Sequence, residues 1–117
     1  MDTITIYHNP RCSKSRAALA LLQQSQVPLQ VIEYLTEPPS RAELATLRRK
    51  LALSPHEWIR SGEAAFKEAG LGPGSSENQL LDAMAAHPIL IERPIVVRAE
   101  RAVVGRPPER VLELLTE

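Results

Sequence analysis

A chain of 117 residues is long enough for one domain with a real core and too short for two. Its 14 basic and 14 acidic residues cancel to a formal charge of zero, which weighs against non-specific nucleic-acid binding. One cysteine excludes an internal disulfide, three scattered histidines offer no metal-site spacing, and no apolar run approaches the length of a bilayer.

The stretch Met1-Asp2-Thr3 lacks the basic and apolar regions of a signal peptide, so the simplest expectation is a cytoplasmic chain with a reduced thiol. Thr3 to Tyr7 reads as a first strand, with Ile4 and Ile6 on one face. It leads into His8-Asn9-Pro10-Arg11-Cys12-Ser13-Lys14-Ser15-Arg16 and then an Ala/Leu-rich helix running to about Gln26, before Pro28. Cys12 falls where that helix begins. The first amides of a helix have no intrahelical partner and carry partial positive charge, so a thiolate there is stabilised and its pKa falls. Arg11, Lys14 and Arg16 add positive charge, and the Ser13 and Ser15 hydroxyls are expected within reach of the sulfur. A buried, inert cysteine is the ordinary alternative, but a proline-containing loop among basic neighbours is a poor place for core. The pattern points to a nucleophile beside an anion site.

Leu29 to Tyr34 reads as a second strand, parallel to the first because a helix joins them. After Pro38-Pro39, Ser40 and Glu43 fit a capping box ahead of a helix with Leu44, Leu47 and Leu51 at helical spacing. Ser54 and Glu57 fit a second box with Pro55 at the first helical position, and Trp58, Ile59 and Arg60 are expected to continue as a short helical turn. Further helical pieces are expected over Glu63 to Ala69 and from Ser76 to His87-Pro88, separated by the loop Gly70-Leu71-Gly72-Pro73-Gly74. Trp58 and Met84 read as core, His56 as part of a capping turn and His87 as a helix end. Ile95-Val96-Val97 and Ala102-Val103-Val104 form a hairpin about Arg98-Ala99-Glu100-Arg101. Gly105-Arg106-Pro107-Pro108 punctuates the chain before a last helix with Val111, Leu112, Leu114 and Leu115. Arg93 and Arg106 each stand beside a proline at the same end of the hairpin.

The order β-α-β, helical insertion, β-β-α predicts an α/β fold with a four-stranded mixed sheet of thioredoxin-like type. The expected organisation is a single domain over 1–117 with a helical insertion at about 40–88. The chain resembles the glutaredoxin-coupled arsenate reductases over nearly its whole length. Three blocks in order carry the likeness: His8 to Arg16 after the first strand, Leu90-Ile91-Glu92-Arg93-Pro94-Ile95-Val96, and Gly105-Arg106-Pro107-Pro108-Glu109. The resemblance implies that Cys12 is the nucleophile, that Arg60, Arg93 and Arg106 bind the oxyanion, that His8 and Ser15 assist the thiolate, and that Pro94 is cis beside the cysteine loop. It also implies arsenate as substrate, glutathione as co-substrate, glutaredoxin as partner protein, and no bound cofactor or metal.

Two absences narrow the choice. Position 15 is Ser15, so there is no C-x-x-C dithiol, and position 18 is Ala18, so the C-x5-R anion cradle of the phosphatase-type arsenate reductases is missing. Oxyanion contacts must then come from distant arginines. A glutathione-dependent thiol transferase and a non-enzymatic thiol regulator resembling the polymerase-binding type are the alternatives. The first has no need of the arginines, and the second commonly uses a cysteine pair.

Overall fold

The computed structural model describes residues 3–115; the Met1-Asp2 part of the N-terminal stretch lies outside them. The chain forms two compact units, one made of the residues up to Glu37 together with those from Arg93 onward, the other of Pro38–Glu92.

The first unit holds a four-stranded mixed sheet in the order β2-β1-β3-β4. Strand β1 (Ile4–His8) pairs in parallel with β2 (Leu29–Glu33) and antiparallel with β3 (Ile95–Arg98), which pairs antiparallel with β4 (Arg101–Val104). Alternation along β1 places Ile4 and Ile6 on one face and Thr5 and Tyr7 on the other. Ile4 and Ile6 join Val96, Ala18 and Leu22 of helix α1 (Ser13–Gln24), and Val111 and Leu114 of a C-terminal 3-10 helix (Pro108–Leu115), in one buried cluster. Each of the large aliphatic side chains there contributes about 1.5–3 kcal/mol relative to exposure. This cluster fixes the two elements that carry the cysteine and the hairpin against a common floor.

The second unit is helical. Helix α2 (Arg41–Leu51) starts at a complete capping box between Ser40 and Glu43, and α4 (Glu77–Ala86) starts at another between Ser76 and Gln79. Arg41 meets Asp82 and Arg48 meets Glu77, each at 2.7 Å. Both pairs are largely solvated, so packing dominates: Leu44, Leu47, Trp58, Leu80 and Met84 are buried.

Several local expectations are corrected. Helix α1 stops at Gln24, with Ser25 as its cap and Gln26 in the left-handed region at φ 61°. Between Ser54 and Arg60 only Pro55–Glu57 is helical, as one 3-10 turn. Ile59 instead bridges Ile91 in antiparallel fashion, with the Arg60 N–H donating to Leu90 O at 2.7 Å and the Glu92 N–H to Trp58 O at 3.0 Å. That pairing takes Ile59 and Arg60 out of the helical turn. The last helix is 3-10 rather than α, whereas helix α3 (Ala64–Glu68) lies where expected, with Glu63 and Ala69 as its caps.

Candidate functional site

The site grows from the end of β1. His8 is the last strand residue, and it is almost wholly buried opposite Glu33 on β2. The chain then turns in a tight loop held by its own polar groups. The Arg11 N–H donates to Asn9 Oδ1 at 2.9 Å, the Cys12 N–H donates to Asn9 O at 3.0 Å, and Arg16 Nη1 donates to Pro10 O at 3.0 Å. Asn9 was not singled out in the sequence. The signal for it is an Asn after a strand and before a Pro, where an Asn side chain commonly holds a turn by accepting from the backbone two residues on.

Cys12 is the N-cap of α1 in an extended conformation, and its side chain makes no capping bond. Helices α2 and α4 close their first turns with a serine oxygen and a Glu or Gln at the third position, whereas α1 has no acid in its first turn. Its free amides face the sulfur instead. Burial raises the Cys12 pKa, but the main-chain N–H groups of Ser15 and Lys14 and the Arg93 guanidinium outweigh it, and the net effect is a thiol below the ordinary value.

The Ser15 contribution differs from the expected one. Its hydroxyl lies 2.7 Å from His8 Nδ1 and accepts from the Asn9 N–H at 3.1 Å, in a buried arrangement. The Ser15 group that serves the sulfur is therefore its main-chain N–H. His8 is thus hydrogen-bonded to the residue whose main-chain N–H faces the sulfur. Burial lowers the His8 pKa; Glu33 opposes the shift and Arg16 reinforces it. The net effect favours the neutral imidazole.

The two arginines that flank the hairpin, one before β3 and one after β4, both come to the cysteine. Arg93 interacts with Cys12 by charge and by a side-chain hydrogen bond. Arg106 places Nη1 4.0 Å from Cys12 Sγ and 3.1 Å from Arg93 O. The Arg93–Pro94 bond is cis, as the resemblance implied, and Arg106–Pro107 is a second cis bond that the sequence did not suggest. The register explains the convergence. Ile95 pairs with Val104 at the end of the ladder, the Gly105 N–H donates to Pro94 O at 2.8 Å one step beyond, and Arg93 and Arg106 face each other at the next.

Arg60 lies in the second unit, where it pairs with Glu63 at 3.3 Å. Among the described residues no group of His, Cys, Asp and Glu is arranged to hold a metal ion, and no helix is long and apolar enough to cross a membrane.

A mixed sheet of this order with a lone cysteine at the start of its first helix, faced by arginines on either side of the sheet's hairpin, defines a thioredoxin-like protein with a single cysteine. Within that class the chain belongs to the ArsC family, whose sequence model matches residues 7–114. It is 46% identical over 116 residues to an arsenate reductase of Rhizobium meliloti, covering 98% of this chain and 83% of that one. It is also 46% identical over 114 residues to the uncharacterised Escherichia coli protein YfgD, covering 96% of each. A solved arsenate reductase of Vibrio cholerae superposes with a TM-score of 0.91 at 48% identity, over 97% of this chain and 98% of that one.

Proposed function

We propose that this chain is an arsenate reductase whose nucleophile is Cys12. The observation that carries the reading is the meeting of one stabilised thiol with two guanidinium groups, Arg93 and Arg106, at a helix start. A generic thiol transferase needs a nucleophilic cysteine but not a paired arginine clamp, and an arginine fork is suited to the planar edge of an oxyanion. The names carried by relatives of near-full-length similarity support the same substrate. The resemblance adds Arg60 as a third oxyanion contact and His8 and Ser15 as thiolate-assisting residues, and the length and element order support one thioredoxin-like domain with a helical insertion at about 40–88 as the organisation.

In this mechanism the Cys12 thiolate attacks arsenic(V) and a hydroxide leaves, protonated to water, while the arginines hold the remaining oxygens. Their charge complements the anion where its charge redistributes. Glutathione then adds to the arsenic, displacing a second oxygen as water. The glutaredoxin thiolate attacks the glutathione sulfur, forming a mixed disulfide between the two. The electron pair of the broken sulfur–arsenic bond stays on arsenic, which becomes arsenic(III) still bound to Cys12. Water releases it as arsenite and returns the thiol. Two electrons enter from two thiols that end as one disulfide, so neither a metal nor a nucleotide is required at the site. A reduced thiol pool of this kind supports a cytoplasmic location.

The test is arsenate-dependent oxidation of NADPH coupled through glutathione and glutaredoxin. Turnover that requires arsenate and both thiol components is the expected result. Activity on a small glutathione mixed disulfide with none on arsenate would place the chain among the thiol transferases.

A further inference from the structure

Gly105 stands between Val104, the last residue of β4, and Arg106. Its N–H donates to Pro94 O at 2.8 Å, so Gly105 and Pro94 form the rung that separates the end of the β ladder from the facing pair Arg93 and Arg106. A Cβ at this position would lie 2.8 Å from Pro94 Cγ, 3.0 Å from Val111 Cγ1 and 3.4 Å from Pro94 Cδ. Neither neighbour can give way cheaply. Pro94 is a closed ring, and Val111 is a β-branched side chain with no exposure, packed in the cluster under the sheet. At Gly62, Gly72 and Gly74, by contrast, a Cβ would meet nothing within 4 Å and no unusual φ is required.

We propose that Gly105 is a positioning residue for the oxyanion clamp: its bare backbone lets the Pro94 ring seat against it, and that seat sets the spacing of Arg93 and Arg106 across Cys12. A methyl group here must move Pro94, and with it Arg93, or the backbone that carries Arg106. The inference deepens the arsenate reading above and rests on it for the substrate. It does not rest on it for the geometry, because Arg93 also stabilises the Cys12 thiolate and so reports its own displacement without substrate.

The experiment compares Gly105→Ala with the parent and with Gly72→Ala as a control, using two readouts after thermal unfolding has shown a folded protein. The first is titration of the Cys12 thiolate by its ultraviolet absorbance. The second is arsenate saturation in the coupled assay. Gly105→Ala is expected to move the thiolate midpoint upward and to raise KM for arsenate by about tenfold or more, since misplacement on the scale of an ångström is costly at such sites. Gly72→Ala is expected to match the parent in both. If Gly105→Ala does not fold, the double variant Gly105→Ala, Val111→Ala removes one of the two close approaches and is read in the same way. A folded variant with both midpoint and saturation unchanged overturns the proposal. Should the parent itself turn over no arsenate, the substrate reading fails, and the midpoint alone decides the role of Gly105.

Discussion

Arg106 donates from Nη1 to the main-chain oxygen of Arg93 at 3.1 Å, so one arm of the proposed clamp is held by the backbone of the other. The two arginines are therefore unequal. Arg93 acts on the sulfur through charge and a side-chain bond, whereas Arg106 approaches it at 4.0 Å while braced on a carbonyl.

That inequality separates the two lysine variants. Losing one charge-assisted fork should cost about 1.5–3 kcal/mol of anion binding, roughly ten- to a hundredfold. Arg93→Lys and Arg106→Lys are both expected to raise the arsenate requirement by that order. Only Arg93→Lys is expected to slow alkylation of Cys12 by iodoacetamide at fixed pH, because Arg93 also supports the thiolate. Parent-like arsenate saturation in both variants would put the oxyanion site elsewhere.

Cys12→Ser is expected to abolish turnover while leaving the fold intact, since the change is small and the loop is held by Asn9, Arg16 and Ser15 rather than by the sulfur. Circular dichroism and turnover together check it. Near-normal activity would remove Cys12 from the mechanism.

The thiol should titrate below the ordinary value of about 8.5. Its folded pKa is depressed, so the stability it contributes is fully present above the unfolded value and is lost as pH falls through the folded one. Alkylation rate against pH should level off below the range of a free thiol. A midpoint at or above about 8.5 would contradict the amide and Arg93 arrangement.

His8 should titrate below the ordinary histidine value of about 6.5, with burial as the main cause. Its folded pKa is also depressed. Stability from the neutral ring therefore holds above about 6.5 and declines as pH falls toward the folded value. Following its ring resonances by nuclear magnetic resonance tests this, and a midpoint above about 6.5 would mean that the Glu33 charge prevails over burial.

With one cysteine, an oxidised Cys12 has no internal thiol to resolve it. Sustained turnover is expected only with an external thiol system, and thioredoxin alone is expected to replace glutathione plus glutaredoxin poorly. Multiple turnovers without any added thiol would defeat the first claim.

Much of this was legible in the chain because the signals are local. The serine and glutamate spacing of the capping boxes, the cysteine after an apolar strand, and the two arginines beside prolines at one end of a hairpin all lie within short windows. What escaped depends on residues far apart in sequence. Ile59 and Arg60 follow a capped turn and look helical, yet pairing with Leu90 and Ile91 claims them. Gly105 looks like punctuation until Pro94 and Val111 are seen closing on it. The Ser15 hydroxyl could serve the sulfur on spacing alone, and the buried His8 ring decides otherwise.

The missing side-chain cap on α1 makes helix order and thiol chemistry one equilibrium. While Cys12 is ionised, its sulfur does for the amides of Lys14 and Ser15 what the Ser40 oxygen does for α2. Once that charge is consumed in a covalent bond, the first turn has no acidic side chain to replace it. The opening turn of α1 should then fray, and the Lys14 and Ser15 amides of the alkylated protein should exchange with solvent deuterium faster than those of the free thiolate, while the amides at the start of α2 keep their protection.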